Sequence, residues 1–338
     1  MSKRKLLVLN LRLFDDVMNA TTSKTSGNDL SAEMKTYYSD YLIDIAGPKL
    51  VHDQFGQKHP IPKNGGKTIE FRKYSPLGKS LTPLTEGVTP DGQALDVKVV
   101  TATVSQYGGW VRLTDMLLLT AIDNNLVHAV KGLGQQAGQT LDTVTREVLN
   151  GGTSVQYAEG QVTARNLLTR EHKLTVDCIE RAVRFLKIQN APKIGKYYVG
   201  IVHPSCTYDL RHDPEWRDMN KYTTPELAWE GEIGQIAGVR FVETSEAKVW
   251  EKAGKLGSDG TTPSIYSTLI LGDDAYGVTE VTGGGLETIV KQLGSGGTAD
   301  PLNQRASAGW KATKAAVRLV EQYMVRIETA SSFDEKAN

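Results

Sequence analysis

The chain has 338 residues and a mass of 36.9 kDa, and its 39 Lys and Arg residues balance 39 Asp and Glu residues to a formal net charge of zero. This balance argues against a dedicated nucleic-acid-binding protein, which draws its affinity from an excess of basic residues. Hydrophobic residues make up 39% of the chain, which excludes intrinsic disorder of the whole. No run approaches the roughly 20 apolar residues that span a bilayer, so we expect no membrane protein. Cys178 and Cys206 are too few for a disulfide framework and lack metal-site spacing, which suits a reducing cytoplasm.

The N-terminus superficially resembles a signal peptide. Three basic residues at 3–5 precede an apolar stretch at 6–14, but Arg12 interrupts that stretch, and Asp15 and Asp16 follow where small residues should mark a cleavage site. We therefore expect an extended arm or a short strand.

A polar, aperiodic linker at 19–28 separates this arm from a predicted helix. Ser31 suits an N-cap, apolar residues recur at helical spacing as far as Ile45, and a Gly-Pro pair at 47–48 ends the pattern. The first fifty residues therefore predict an arm plus one helix.

Two strand-like segments at 67–74 and 97–113 flank a long aperiodic segment at 75–96 that is rich in Pro and Gly. Such long loops are uncommon in compact domains and usually have a functional reason. The pattern predicts a long β-hairpin projecting from the body, with little apolar material of its own. We expect a phase slip near Val104 and a bulge or bend at Gly108 and Gly109.

A helix is predicted for 123–149, about 40 Å long at 1.5 Å per residue. Gly132, Gly134 and Gly138 lie inside it, and each costs about 1 kcal/mol relative to Ala. We therefore expect another backbone to pack closely against this helix.

From residue 174 onward the pattern becomes mixed α/β. The predicted elements are a helix at 177–189, a helix or turn at 204–216, and strands at 197–202, 239–243, 266–271, 277–281 and 315–329.

Two segments resemble phosphate- or dinucleotide-binding motifs, but neither matches its motif. Residues 64–68 resemble the end of a phosphate-binding loop, but Ile61 stands where that motif needs Gly. Residues 132–138 resemble a dinucleotide fingerprint, but they lie inside a predicted helix rather than at a strand-to-helix turn.

The six histidines are scattered, and none forms a recognisable ligand set. His203 lies near Cys206, but no third group orients the pair, so we expect a turn or capping histidine and a buried structural cysteine. We predict no metal, no cofactor and no enzymatic activity.

Several long strings carry a resemblance to a known family. They include 30–35 (Leu-Ser-Ala-Glu-Met-Lys), 51–56, 60–73, 84–90 (Leu-Thr-Glu-Gly-Val-Thr-Pro), 119–123, 148–152, 231–234, 300–305 and 309–311. On these strings the chain resembles the major capsid proteins of N4-like tailed bacteriophages, over nearly all of 30–332. The resemblance implies an α+β, HK97-like capsid fold with an N-terminal arm, an extended E-loop β-hairpin, a peripheral domain with a long spine helix, and an axial domain.

The resemblance also implies boundaries: arm and helix at 1–50, E-loop hairpin region at 51–115, peripheral domain with spine helix at 116–173, axial domain at 174–294, and return to the peripheral domain with a C-terminal strand at 295–338. Such a protein would self-assemble, as hexamers and pentamers, into an icosahedral head around double-stranded DNA. We select as candidate inter-subunit contacts Lys79, Glu86, Asp91, Arg72 and Phe14.

The implied partners are further copies of the chain, packaged DNA without sequence specificity, portal and scaffolding proteins, and a decoration protein. The implied location is the virion, after assembly in the host cytoplasm. Two alternatives stay open: an encapsulin-like compartment shell of the same fold, and a cytoplasmic α/β enzyme with an unrecognised site.

Overall fold

The computed structural model describes residues 50–60, 67–74, 77–84, 86–87, 89, 92–120, 125–158, 162–220, 235–257, 260–280, 286–295 and 300–338. The predicted arm and first helix, residues 64–66 of the segment that resembles a phosphate-binding loop, and the candidates Phe14 and Asp91 lie outside these residues. None of the described helices is long and apolar enough to cross a membrane.

The described helices are α1 Asp115–Thr120, α2 Asn125–Asn150, α3 Val176–Ile188, α4 Pro204–His212 and α5 Pro214–Asn220. The described strands are β1 Gln57–His59, β2 Thr68–Tyr74, β3 Val97–Thr103, β4 Ser105–Thr114, β5 Val155–Tyr157, β6 Tyr198–Val202, β7 Gln235–Ile236, β8 Val239–Glu243, β9 Val249–Trp250, β10 Ile265–Leu271, β11 Tyr276–Thr279, β12 Leu286–Lys291, β13 Arg305–Lys314, β14 Ala316–Arg318 and β15 Met324–Thr329.

The largest sheet has seven strands in the order β5-β15-β10-β6-β8-β7, with β9 paired to β10. Every residue of β10 is buried, as expected for a central strand covered on both faces. Helix α3 places its apolar stripe on one face, where Ile179, Val183 and Leu186 join a core shared with α4. Alternate strand residues such as Ile201 and Leu269 point into a second core on the opposite face.

A second unit forms where α2 packs on the three-stranded sheet β12-β13-β4. The helix contributes Val130, Leu133, Ala137 and Leu141, which meet Trp310 and the small side chains of β13. Because those strand residues are mostly alanines, the helix lies close to the sheet. The expected close approach does not extend to Gly132, where an added Cβ would meet nothing within 4 Å.

The predicted bulge at Gly108 and Gly109 is wrong. Strand β4 pairs with β13 in unbroken register from Ser105 to Thr114, and the interruption falls at Val104, where the phase slip was predicted. The glycines instead relieve crowding, because a Cβ on Gly109 would overlap the Gln136 side chain of α2.

The predicted single strand at 315–329 is also wrong. It divides into β14, a 3₁₀ turn at Glu321–Tyr323, and β15. Strand β14 pairs with β11 in the small sheet β1-β11-β14, whereas β15 pairs with β10 and β5 in the large one. The chain therefore changes sheet where one continuous strand was expected.

Candidate assembly surfaces

The projecting hairpin, residues 68–103, is built from β2 and β3, which pair antiparallel from Thr68↔Thr103 to Tyr74↔Val97. Its base is fixed to the body by Phe71, which is fully buried and packs with Ile69, Ala102 and Ala315. The Phe71 ring occupies the space above Gly277 of β11, where any Cβ would collide with it. The base is therefore held by shape as well as by apolar burial.

Beyond this base the hairpin exposes apolar side chains to solvent. The leucines are Leu77, Leu81, Leu84 and Leu95, exposed by 57%, 83%, 75% and 60%. The expectation that the hairpin carries little apolar material is therefore wrong. Clustered exposed leucines are typical of a surface that another molecule covers. The sequence does place these leucines among turn residues. Because they follow no helical or strand periodicity, the sequence alone does not predict that they form an exposed apolar surface.

Three of the five predicted contact residues lie in the described part of the chain, and all three are exposed. Lys79 and Glu86 lie in the exposed loop of the hairpin, and Arg72 is exposed on β2. No salt bridge within the described part of the chain involves these three residues. They are not brought together into one cluster, so each remains a separate candidate.

A second exposed surface lies on the face of sheet β12-β13-β4 that points away from α2. Trp110 is 62% exposed, and Gly309 is its register partner on β13. Trp110, Gly108, Gly309 and Ile289 line an open groove of about 510 Å³. The Arg112 guanidinium lies 5.0 Å from the Trp110 ring centroid. The sequence alone does not reveal this groove, because Trp110 by itself fits a buried strand position equally well.

A buried polar network fixes the segment that follows the arm. His52 donates its backbone N–H to Asp142 of α2 at 2.7 Å, and its Nδ1 lies 2.7 Å from the second carboxylate oxygen. Asp53 accepts from the Thr145 hydroxyl at 2.6 Å and pairs with the fully buried Lys314. These contacts fix residues 52 and 53 to α2 and β13, close to the base of the hairpin.

The last described residues are held along the large sheet by a second polar network. Asp209 of α4 accepts hydrogen bonds from the Ser331 hydroxyl at 2.7 Å and from the backbone and hydroxyl of Ser332 at 2.9 and 2.5 Å. Tyr266 donates its hydroxyl to the Phe333 carbonyl at 2.8 Å, and burial raises the pKa of Tyr266 to about 12. This segment therefore packs against its own chain, in contrast to the hairpin loop.

His203 and Cys206 do not form a nucleophilic pair. His203 caps α4, accepting from the Ser205 backbone at 3.2 Å, which confirms its predicted role. Cys206 is completely buried, and burial raises the pKa of its thiol to about 12, so the thiolate is scarce at neutral pH. Among the described residues, no group of three His, Cys, Asp or Glu could hold a metal.

Comparison with known proteins finds similarity to phage capsid proteins. Residues 129–293 match the family model described as phage capsid protein. No curated protein matches the sequence.

Solved phage capsids have a similar fold. The capsid of Ralstonia phage GP4 is 15% identical with a TM-score of 0.64, covering 81% of this chain and 86% of the other. The capsid asymmetric unit of cyanophage Pam1 is 14% identical with a TM-score of 0.61, covering 80% and 86%. The capsid of cyanophage P-SCSP1u is 14% identical with a TM-score of 0.59, covering 82% and 87%. The α+β, HK97-like fold is thereby confirmed. Residues 129–293 are therefore similar to the phage capsid protein family, and the chain has the fold of solved phage capsids.

Proposed function

We propose that the chain is the major capsid protein of a tailed phage, and that it self-assembles into an icosahedral head around double-stranded DNA. The observation that most supports self-assembly is the hairpin, whose base is fixed to the body while its four leucines are exposed. Leaving large apolar side chains in water is unfavourable by roughly 1.5–3 kcal/mol each relative to burial. A neighbouring copy supplies the missing cover.

The exposed groove on sheet β12-β13-β4 is the candidate surface that receives the hairpin. Trp110 and Ile289 offer apolar walls, and Lys291 adds positive charge, while Lys311 is paired with Glu287 at 2.8 Å. The hairpin loop carries leucines together with Glu86 and Asp91. The two surfaces are therefore complementary in both polarity and charge.

The finer assignments belong to the same proposal. We assign α2 with sheet β12-β13-β4 to the peripheral domain and the large sheet with α3 and α4 to the axial domain. The N4-like subgroup rests on the sequence strings, such as 84–90 and 300–305. Portal and scaffolding proteins, a decoration protein, and location in the virion follow from a tailed-phage head. The role is structural rather than enzymatic.

Electron microscopy of the purified chain tests this function. Wild type is expected to form closed particles, and the double variant Leu81→Ser/Leu84→Ser is expected to lose most of that yield. Its free energy of unfolding should change by less than about 0.5 kcal/mol, because both side chains are exposed in the single chain.

The matched control is Leu167→Ser/Leu256→Ser, which alters two exposed leucines outside the hairpin. This control should assemble as wild type does. A wild-type chain that stays monomeric at high concentration would overturn the proposal. Particles isolated from the natural host with protein cargo instead of DNA would indicate the compartment shell.

A further inference from the structure

Positive charge is concentrated in one segment of this neutral chain. Residues 181–208 contain five basic residues and no Asp or Glu, although the chain has 39 acidic residues in 338. Four of these bases are exposed at the C-terminal half of α3 and in the loop that follows it: Arg184, Lys187, Lys193 and Lys196. We call these four residues the basic patch.

The fold brings the four side chains of the basic patch to one end of α3. Arg184 and Lys187 are three residues apart and share a helical face. The chain then turns back, because the Ala191 N–H donates to the Leu186 carbonyl at 3.0 Å. The Tyr198 hydroxyl donates to the Ala191 carbonyl at 3.0 Å and fixes the loop on the helix end.

A tight turn presents the two loop lysines. Gly195 adopts a positive φ of 67°, and an isolated bridge joins Ile194 to Tyr197. Lys193 and Lys196 therefore lie on either side of this turn. The Lys193 ammonium lies 5.8 Å from the centroid of the Tyr198 ring.

The basic patch is not neutralised within the described part of the chain, where no salt bridge involves any of its four residues. The fifth base, Arg181, is already paired with Asp177 at 2.7 Å. Asp273 and Asp274 border the patch, since the Asp273 N–H donates to the Pro192 carbonyl at 2.9 Å. Burial, and after it the Asp273 carboxylate, raise the pKa of Asp274 and favour its neutral form.

Helix stability alone does not explain the basic patch. A cation in the last turn of a helix stabilises the helix dipole, which accounts for Lys187. Lys193 and Lys196 lie beyond the helix, where this effect has faded. Four unpaired like charges held together repel one another, so their placement favours an external polyanion.

We propose that the basic patch binds the phosphate backbone of double-stranded DNA, which places this end of α3 on the inner wall of the shell. Phosphate contacts require only Lys and Arg. An acidic helical partner would need an apolar stripe to dock on, but Ile188 is the one large apolar side chain exposed on α3. Single-stranded DNA would need exposed aromatic rings, and Tyr198 is buried.

The inference deepens the proposed function and rests on it only for the source of the duplex. Modest local charge suits packaged DNA, because a few contacts per subunit guide the duplex without trapping it. A chain with a net charge of zero can therefore still contact DNA through the local positive charge of the basic patch.

Fluorescence anisotropy with a short mixed-sequence duplex and the full chain tests the proposal. Four phosphate contacts predict about a hundredfold loss of affinity between about 50 and 200 mM salt. The variant Arg184→Gln/Lys187→Gln/Lys193→Gln/Lys196→Gln should bind at least about tenfold more weakly, with a salt slope smaller by about three to four.

The matched control changes four exposed lysines elsewhere: Lys131→Gln, Lys252→Gln, Lys255→Gln and Lys336→Gln. It carries the same change in net charge and should bind DNA as wild type does. Equal loss in both variants, unchanged binding in the patch variant, or stronger wild-type binding to polyglutamate than to duplex would each overturn the proposal.

Electron microscopy separates this proposal from the proposed function. The patch variant should assemble as wild type does, and loss of particles in that variant alone would show that the patch is an assembly contact and overturn the DNA proposal. Absence of particles from wild type would overturn the proposed function, while the DNA titration would still decide the basic patch.

Discussion

At the residue scale, replacing glycine with alanine should have opposite effects on the free energy of unfolding at Gly277 and at Gly132. Gly277→Ala places a methyl group against the fully buried Phe71 ring, so the hairpin base must shift. We expect a loss of about 1–3 kcal/mol in the free energy of unfolding, as for other overpacked cores. Urea denaturation of the unassembled chain measures it.

Gly132→Ala is the matched control, because its new methyl group meets nothing within 4 Å on an exposed helix face. It should gain about 1 kcal/mol from helix propensity. Equal effects of the same sign would contradict the assignment of Gly277 as a close-contact position.

Other residue-scale features were beyond sequence analysis. The alternation in β13 is carried by Ala306, Ala308 and Ala312, which are buried but have low strand propensity. Their small size makes sense only once α2 is known to pack on them. Lys314 continues that buried row and is stabilised by Asp53, more than 200 residues earlier in the chain. Neither relationship leaves a local pattern.

At the element scale, the long helix and the hairpin could be predicted because each is specified locally. Helix α2 has a continuous apolar stripe, and β2 and β3 flank a segment rich in Pro and Gly. The division of 315–329 into two strands could not be predicted, because β14 and β15 each pair with a strand of a different sheet. Strand pairing depends on tertiary structure, and the alternation of apolar and polar residues does not reveal which strand β14 or β15 pairs with.

The hairpin is also the element on which the charged candidates can be tested. Glu86→Lys should lower assembly yield at low salt, because it reverses attraction to a basic surface. An exposed pair contributes at most about 1 kcal/mol, but the contact repeats in every subunit. Near 1 M salt, where screening acts within about 3 Å, the yield should return towards that of wild type.

Light scattering across a salt series measures this yield. Glu251→Lys makes the same charge change at an exposed position outside the hairpin and should have no such salt dependence. A yield of Glu86→Lys equal to wild type at low salt would remove Glu86 from the contact residues.

At the scale of the whole molecule, burial is distributed unevenly, and the proposed assembly explains why. The C-terminal segment is fixed by Asp209 and Tyr266, and residues 52 and 53 are fixed by Asp142 and Lys314. In the described part of the hairpin, the buried cluster of Ile69, Phe71 and Ala102 fixes the base, whereas the loop leucines are exposed. A chain that fixes both ends of its described body but leaves the hairpin leucines and the groove on sheet β12-β13-β4 exposed keeps two surfaces available to neighbouring copies.

Limited trypsin digestion measures this difference directly. Lys79 lies in the exposed loop, so the unassembled chain should be cut after it readily. If a neighbouring copy covers Leu77 and Leu81 in assembled particles, as proposed, cleavage after Lys79 should slow strongly there. Lys255, exposed in a loop after β9, provides the internal reference, since slower diffusion of protease would affect both sites alike. If the ratio of cleavage at Lys79 to cleavage at Lys255 is the same before and after assembly, the hairpin is not covered by a neighbour, and assembly must use another surface.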